Sequence, residues 1–133
     1  NDGDDGTAPS LTALTCHSTG EVKFHQTVYF ASEVDNGDSG AADTIDWTAG
    51  NKQKSTLTGN CTFTFSPEPS GPSNLTLKLK QDDTGSRTVT WPGDVKWAGG
   101  AAPTLSTGAN DVDIISFYYD GTDFYGQAAL DFG

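Results

Sequence analysis

Residues 74–81 read NLTLKLKQ, and this run decides the fold class. Leu75, Leu77 and Leu79 fall on one side of an extended chain and Thr76, Lys78 and Lys80 on the other, because successive side chains of a strand point to opposite faces. One face is buried and one is wet. The DDTGS segment that follows at 82–86 has the composition of a turn, so NLTLKLKQ and RTVTW (87–91) are expected to form an antiparallel hairpin. Towards the C-terminus, DVDIISFYYD (111–120) and TDFYGQAAL (122–130) flank Asp120-Gly121, a dipeptide suited to a tight turn with positive φ.

Working back from residue 74, PEPSGPS (67–73) carries three prolines and cannot continue a central strand, so it is a loop over an end of the sheet. NCTFTFS, KQKSTLTG and the short TIDW read as strands, with AGN as a turn between them. ASEVDNGDSGAAD (31–43) is too polar and glycine-rich to pair and is expected to be a loop; EVKFHQTVYFA and LTALTC are the strands before it. Residues 1–10, NDGDDGTAPS, hold no apolar residue larger than Ala and Pro and form an acidic extended arm that needs a partner, such as a neighbouring subunit, to hold it. The sum is one all-β domain over residues 11–133 with eight to ten strands and no helix. A two-sheet antiparallel β-sandwich, jelly-roll-like, with an extended N-terminal arm is the economical way to bury one face of each strand.

Composition bounds what such a domain can do. The 133 residues suffice for a core without metal support. Three Trp, four Tyr and seven Phe with no Met make that core aromatic and rigid. A net charge of −11 argues against a sequence-independent grip on nucleic acid and against docking on an anionic membrane, since both depend on Lys and Arg. No stretch approaches the ~18 apolar residues of a membrane span. Asn1 in place of Met, with no apolar leader, implies a processed chain or part of a longer product.

Motifs for catalysis are weak. Gly37-Asp38-Ser39-Gly40 echoes the segment around a serine-protease nucleophile, with His17 and His25 upstream, but that chemistry needs a larger two-barrel scaffold to assemble its triad. Carboxylate pairs such as Asp111 with Asp113 arise by chance in a chain this acidic, and spacing cannot show the split environments that glycoside hydrolysis requires. No enzymatic activity is expected. A zinc site from Cys16, His17, His25 and Cys61 is disfavoured because neighbours in a strand point apart. Cys16 and Cys61 either form a disulfide, worth roughly 4 kcal/mol in the chain-entropy picture, or pack as small buried thiols. Calcium is the one conceivable ion, with Asp35, Asp38 and Asp43 in one loop and Asp82 and Asp83 in a turn; solvated turn residues are the plainer reading.

The aromatics are the better candidates for binding. Trp47, Trp91 and Trp97 could be core or a platform for sugar rings; Trp91 alternates with Val89 and suits burial, whereas Trp97 beside Ala98-Gly99-Gly100 suits exposure. Tyr118, Tyr119, Phe124 and Tyr125 surround the Asp-Gly turn on alternating faces, so about half of them must leave the sheet outward. Trp97, Tyr118, Tyr119 and Tyr125 are therefore the expected outward binding residues.

The stretch 81–126 also carries a resemblance. The GSRTVTWP strand, the VKW after it, the Gly-Gly then Pro-Thr-Leu-Ser loop, the DVDIISF strand and the closing YYDGTDFYG hairpin resemble a C-terminal β-module of bacteriophage virion proteins, found in tail fibres and head decoration. The likeness is strongest from about Trp47 to Gly126 and is absent over residues 1–40. It implies a structural protein on the virion surface that acts by assembly: a homo-oligomer, commonly a trimer, joined to capsid or tail proteins and able to contact a host glycan. Cys61 stands where an aliphatic residue is usual. In a phage protein the glycosylation patterns at Asn60 and Asn74 are chance matches. The alternatives are a subunit of a bacterial or archaeal surface filament that donates a strand to its neighbour, or a monomeric carbohydrate-binding module.

Overall fold

The computed structural model describes residues 25–133, and these form nine strands in two sheets, with a single short 3-10 turn at Ala98–Gly100. The strands are β1 (Val34–Asp38), β2 (Ala42–Ile45), β3 (Lys52–Leu57), β4 (Cys61–Phe65), β5 (Ser73–Gln81), β6 (Val89–Thr90), β7 (Val95–Trp97), β8 (Val112–Tyr119) and β9 (Phe124–Ala129). The larger sheet has the order β1-β3-β5-β8-β9-β7 and the smaller β2-β4-β6. The all-β expectation holds.

The pairing is where the structure departs from expectation. β1, β3 and β5 run parallel, and so do β2, β4 and β6. The chain thus makes three stacked turns of a flat coil, each turn laying one strand in the large sheet and the next in the small one. Antiparallel pairing is confined to β5 with β8 and β8 with β9, while β7 closes the far edge parallel to β9. The expected antiparallel sandwich of jelly-roll type is corrected accordingly. A crossover into a second sheet returns the chain to its starting side, so parallel neighbours form here without helices.

Three local expectations change with it. NLTLKLKQ is β5 as read, but RTVTW does not fold back on it: the segment 82–88 is a corner between sheets, and β6 pairs with β4. β5 takes β8 as its antiparallel partner instead, with Leu77 opposite Ile115. The 31–43 segment supplies β1 and the start of β2, because a stacking partner in β3 compensates for its poor strand composition. Residues 25–31 hold no strand and are exposed, whereas LTALTC, the acidic arm, Cys16 and His17 lie outside the described residues. The Asp120-Gly121 hairpin forms as read, with Gly121 at φ 104°.

Glycine makes the corners stack. A Cβ on Gly59 would sit 3.1 Å from the Gly40 carbonyl oxygen, and one on Gly85, at φ 74°, would sit 2.5 Å from that of Thr107. A side chain at Gly59 would push the first two corners apart, and one at Gly85 would push the third corner off the loop that leads into β8. Gln81 then ties the third corner down: buried, it donates to the carbonyls of Arg87 (3.0 Å) and Ser106 (2.9 Å) and accepts from the Arg87 amide (2.8 Å).

The core lies between the sheets. Leu75, Leu77, Leu79, Ile115, Phe117 and Phe124 from the large sheet meet Ile45, Cys61, Phe63 and Phe65 from the small one. Phe65 packs edge-on against Trp47, Phe117 and Phe124 with centroids 5.1 to 5.4 Å apart, a geometry favoured by the ring quadrupoles. Trp47 is buried, and Trp91 is half-buried against Phe63 at 5.8 Å. Both belong to the core and not to a sugar platform. Towards β1 the interior turns polar: buried Gln53 donates to the carbonyls of Asp46 and Gly50 and accepts from Asn36, leaving none of its amide unpartnered.

Candidate functional site: a groove on the outer face of the large sheet

The strand register sets the outer face residue by residue. Lys96 of β7 pairs with Tyr125 of β9, Tyr125 with Tyr118 of β8, and Tyr118 with Asn74 of β5, so all four project from one side in one row. The next row holds Gln127, Ser116, Thr76 and Lys52. Tall tyrosines beside short Ser116 and Thr76 leave a groove of about 620 Å³, floored by the short residues and walled by the rings. It opens to solvent.

Tyr118 is 54% and Tyr125 47% exposed, unusual for rings of that size, and their centroids lie 6.4 Å apart at an interplanar angle of 41°. Direct cross-strand partners hold each other at this separation and limit each other's rotamers. The result is a preformed apolar surface edged by Asn74, Gln127, Ser116 and Thr76, which supply amide and hydroxyl groups in reach of it. Flat apolar area with surrounding neutral donors and acceptors is the chemistry that suits a sugar ring, whose faces carry C–H groups and whose rim carries hydroxyls.

The hairpin end of the groove is acidic. Asp120 accepts from the amides of Thr122 and Asp123, both at 2.8 Å, and these bonds hold its carboxyl below the usual carboxylate range. Its negative charge in turn pushes the Tyr125 hydroxyl up. Asp94 is pushed the other way, up, first by burial and then by the charges of Glu68 and Asp123.

The expected binding residues separate into two groups. Tyr118 and Tyr125 are outward and together, as read. Tyr119 is not: its ring is 2% exposed, stacked on Phe124 at 4.4 Å, with its hydroxyl donating to Glu68 at 3.0 Å. Neighbours in a strand face opposite ways, so once Tyr118 leaves the sheet Tyr119 must enter it. Trp97 is half-buried, 5.2 Å from Trp91 and 6.0 Å from Phe117, and forms only an end wall of the groove. Its ring lies over Gly126, where a Cβ would come within 2.6 Å of it. The flanking glycines suggested exposure; the inward position opposite Gly126 decides otherwise. Asn74, Thr76, Ser116 and Gln127 were missed, since nothing in their local sequence places them beside the tyrosines.

The acidic candidates are engaged elsewhere. Asp35 caps the Gly37 amide at 2.9 Å and pairs with Lys54 at 3.0 Å. Asp82 takes the Arg87 guanidinium through three contacts of 2.8 to 3.2 Å. Asp43 accepts from Ser55 at 3.3 Å, while Asp38 and Asp83 sit in separate places, at the end of β1 and in the third corner. Among the described residues no three His, Cys, Asp or Glu converge as metal ligands. Cys61 is a buried thiol at the start of β4 whose pKa burial pushes up; Cys16, its expected partner, lies outside the described residues.

Residues 42–124 match a family described as "Putative phage tail fibre C-terminal domain". The match covers more than half of the chain and runs from β2 to the first residue of β9. No curated protein and no solved structure matches the chain significantly.

Proposed function

This chain belongs to the phage tail fibre C-terminal domain family, a structural virion component, and we propose that it attaches the particle to the host surface by binding a saccharide in the outer-face groove. The observation that carries this reading is the exposed Tyr118–Tyr125 pair above a polar floor. An aromatic pair of this size left in water on a β-domain marks a contact surface. The mechanism is binding without turnover: the saccharide stacks on the two rings, Asn74 and Gln127 read its hydroxyls, and nothing is cleaved.

The test is binding of the purified chain to a panel of bacterial isolates with different surface polysaccharides, and to the extracted polysaccharides, beside the Tyr118→Ala/Tyr125→Ala variant. Both side chains are exposed, so the variant should fold as the parent does. Binding to at least one isolate, lost on the order of tenfold or more in the variant, is expected. A folded parent that binds no isolate, or a variant that binds equally well, would sink the reading.

The same proposal includes assembly. A tail fibre domain associates with other virion proteins, and we take this one to be a homotrimer on the virion surface. Val28, Tyr29 and Phe30, exposed by 57%, 83% and 54%, favour a subunit contact just before β1. Head decoration is the second reading. It would use the same apolar segment to grip a capsid protein.

A further inference from the structure

Charge is segregated on this protein in a way that the fold does not require. The chain has 18 acidic and 7 basic residues, yet of the six strands of the large sheet the five other than β1 carry one acid between them, the inward and buried Asp113, while Asp35 and Asp38 stand on β1 at one edge. Their outward positions instead carry Lys52, Lys54, Lys78, Lys80 and Lys96. Lys54 and Lys78 are direct cross-strand partners, an arrangement that like charges disfavour. Each is met by an acid at the β1 edge, Lys54 by Asp35 of β1 at 3.0 Å and Lys78 by Glu33 just before that strand at 2.7 Å. Lys52, Lys80 and Lys96 remain exposed on the face.

Two plain explanations fall short. Lysines protect sheet edges from unwanted pairing, but β5 lies in the interior of the sheet, with β3 on one side and β8 on the other. Lysines also aid solubility, but a chain at −11 gains repulsion from its acids and loses net charge with each lysine. A cationic face on an acidic protein attracts anions locally and turns the rest of the molecule away from them.

The face is continuous with the groove. Thr76 in the groove floor is the register partner of Lys52, and Lys78 and Lys80 follow it along β5. From Asn74 to Lys80 is about 20 Å of strand, the length of several sugar rings. Lys96 stands at the opposite flank, 3.7 Å from Asp123. With Asp120 and Asp123 at the hairpin end, an anionic ligand is steered away from the hairpin and over β5 and β3.

We propose that the ligand of the groove is an acidic saccharide chain, carboxylated or phosphorylated, with one ring on Tyr118–Tyr125 and its anionic groups over Lys52 and Lys80. This rests on the attachment reading above and adds the class of ligand. Steering by exposed lysines gives a salt-sensitive affinity, and the stacked ring a salt-insensitive part.

The test measures binding of the intact chain to polygalacturonate and its carboxyl-reduced neutral counterpart, and to a phosphomannan before and after phosphatase treatment, at low and high salt. Binding of at least one charged polymer on the order of tenfold tighter than its neutral counterpart is expected, with the gap closing in high salt. Lys52→Gln/Lys80→Gln should weaken charged polymers several-fold and leave neutral ones unchanged, with an unaltered thermal midpoint. Charge reversal at the same two positions should weaken charged polymers further. Equal binding of charged and neutral polymers, or lysine variants indistinguishable from the parent, overturns the acidic ligand and leaves attachment standing. No binding to any of the four polymers also overturns it, and no binding to any isolate overturns the attachment reading as well.

Discussion

Asp82 holds the third corner of the coil by several bonds at once. Its carboxylate accepts from the amides of Thr84 (3.1 Å) and Gly85 (2.8 Å) while gripping the Arg87 side chain, and the guanidinium contributes most to holding its pKa down. A carboxylate with a depressed folded pKa adds stability that is present above the unfolded value of about 3.9 and is lost as pH falls through the folded value. Asp82→Asn should therefore lower the denaturation midpoint at neutral pH, with the gap to the parent closing as both are acidified below about pH 4. Urea melts across that range check it; a gap that stays constant to the lowest pH would mean the corner is held by shape alone. Asp82 opens the DDTGS turn and Arg87 begins the RTVTW run expected as a strand, and their pairing across a corner does not show in their spacing.

At the scale of elements, the small parallel sheet is the feature with the most to test. Thr44 of β2 and Thr64 of β4 are exposed register partners, and parallel neighbours about 4.8 Å apart fall within reach of a disulfide. In a Cys16→Ser background, Thr44→Cys/Thr64→Cys should oxidise to an internal cross-link, visible as a two-hydrogen mass loss. Lys78→Cys/Thr90→Cys, neighbours in an antiparallel β5–β6 hairpin but on different sheets here, should not. Cys61 will not compete, because burial removes it from solvent and raises its thiol pKa. The reverse pattern of cross-links would restore the hairpin. Strand identity was legible over β3, β4, β5, β8 and β9 because one-sided burial writes alternation into sequence. Strand partners were not, since parallel and antiparallel neighbours impose the same period of two.

For the whole molecule, the exposed apolar Val28-Tyr29-Phe30 segment is the surface on which the proposed homotrimer can be tested. Light scattering on the eluted chain should give a mass near three times the 13.9 kDa of one copy, and Val28→Ser/Tyr29→Ser/Phe30→Ser should reduce it to one. A monomer at all concentrations would exclude the trimer. What the sequence determined by itself is what composition and alternation encode: an all-β chain with an aromatic core, the β5 face, the Asp120-Gly121 hairpin, and a likeness to phage virion modules in its C-terminal half. The tertiary structure alone decided that the strands stack as a parallel coil, that Tyr118 faces out while Tyr119 faces in, and that lysines from β3, β5 and β7 share one face with a groove. Alternation reports only whether a side chain meets core or water, whereas register fixes which distant residues stand beside it, and register arises from the packing of the whole chain.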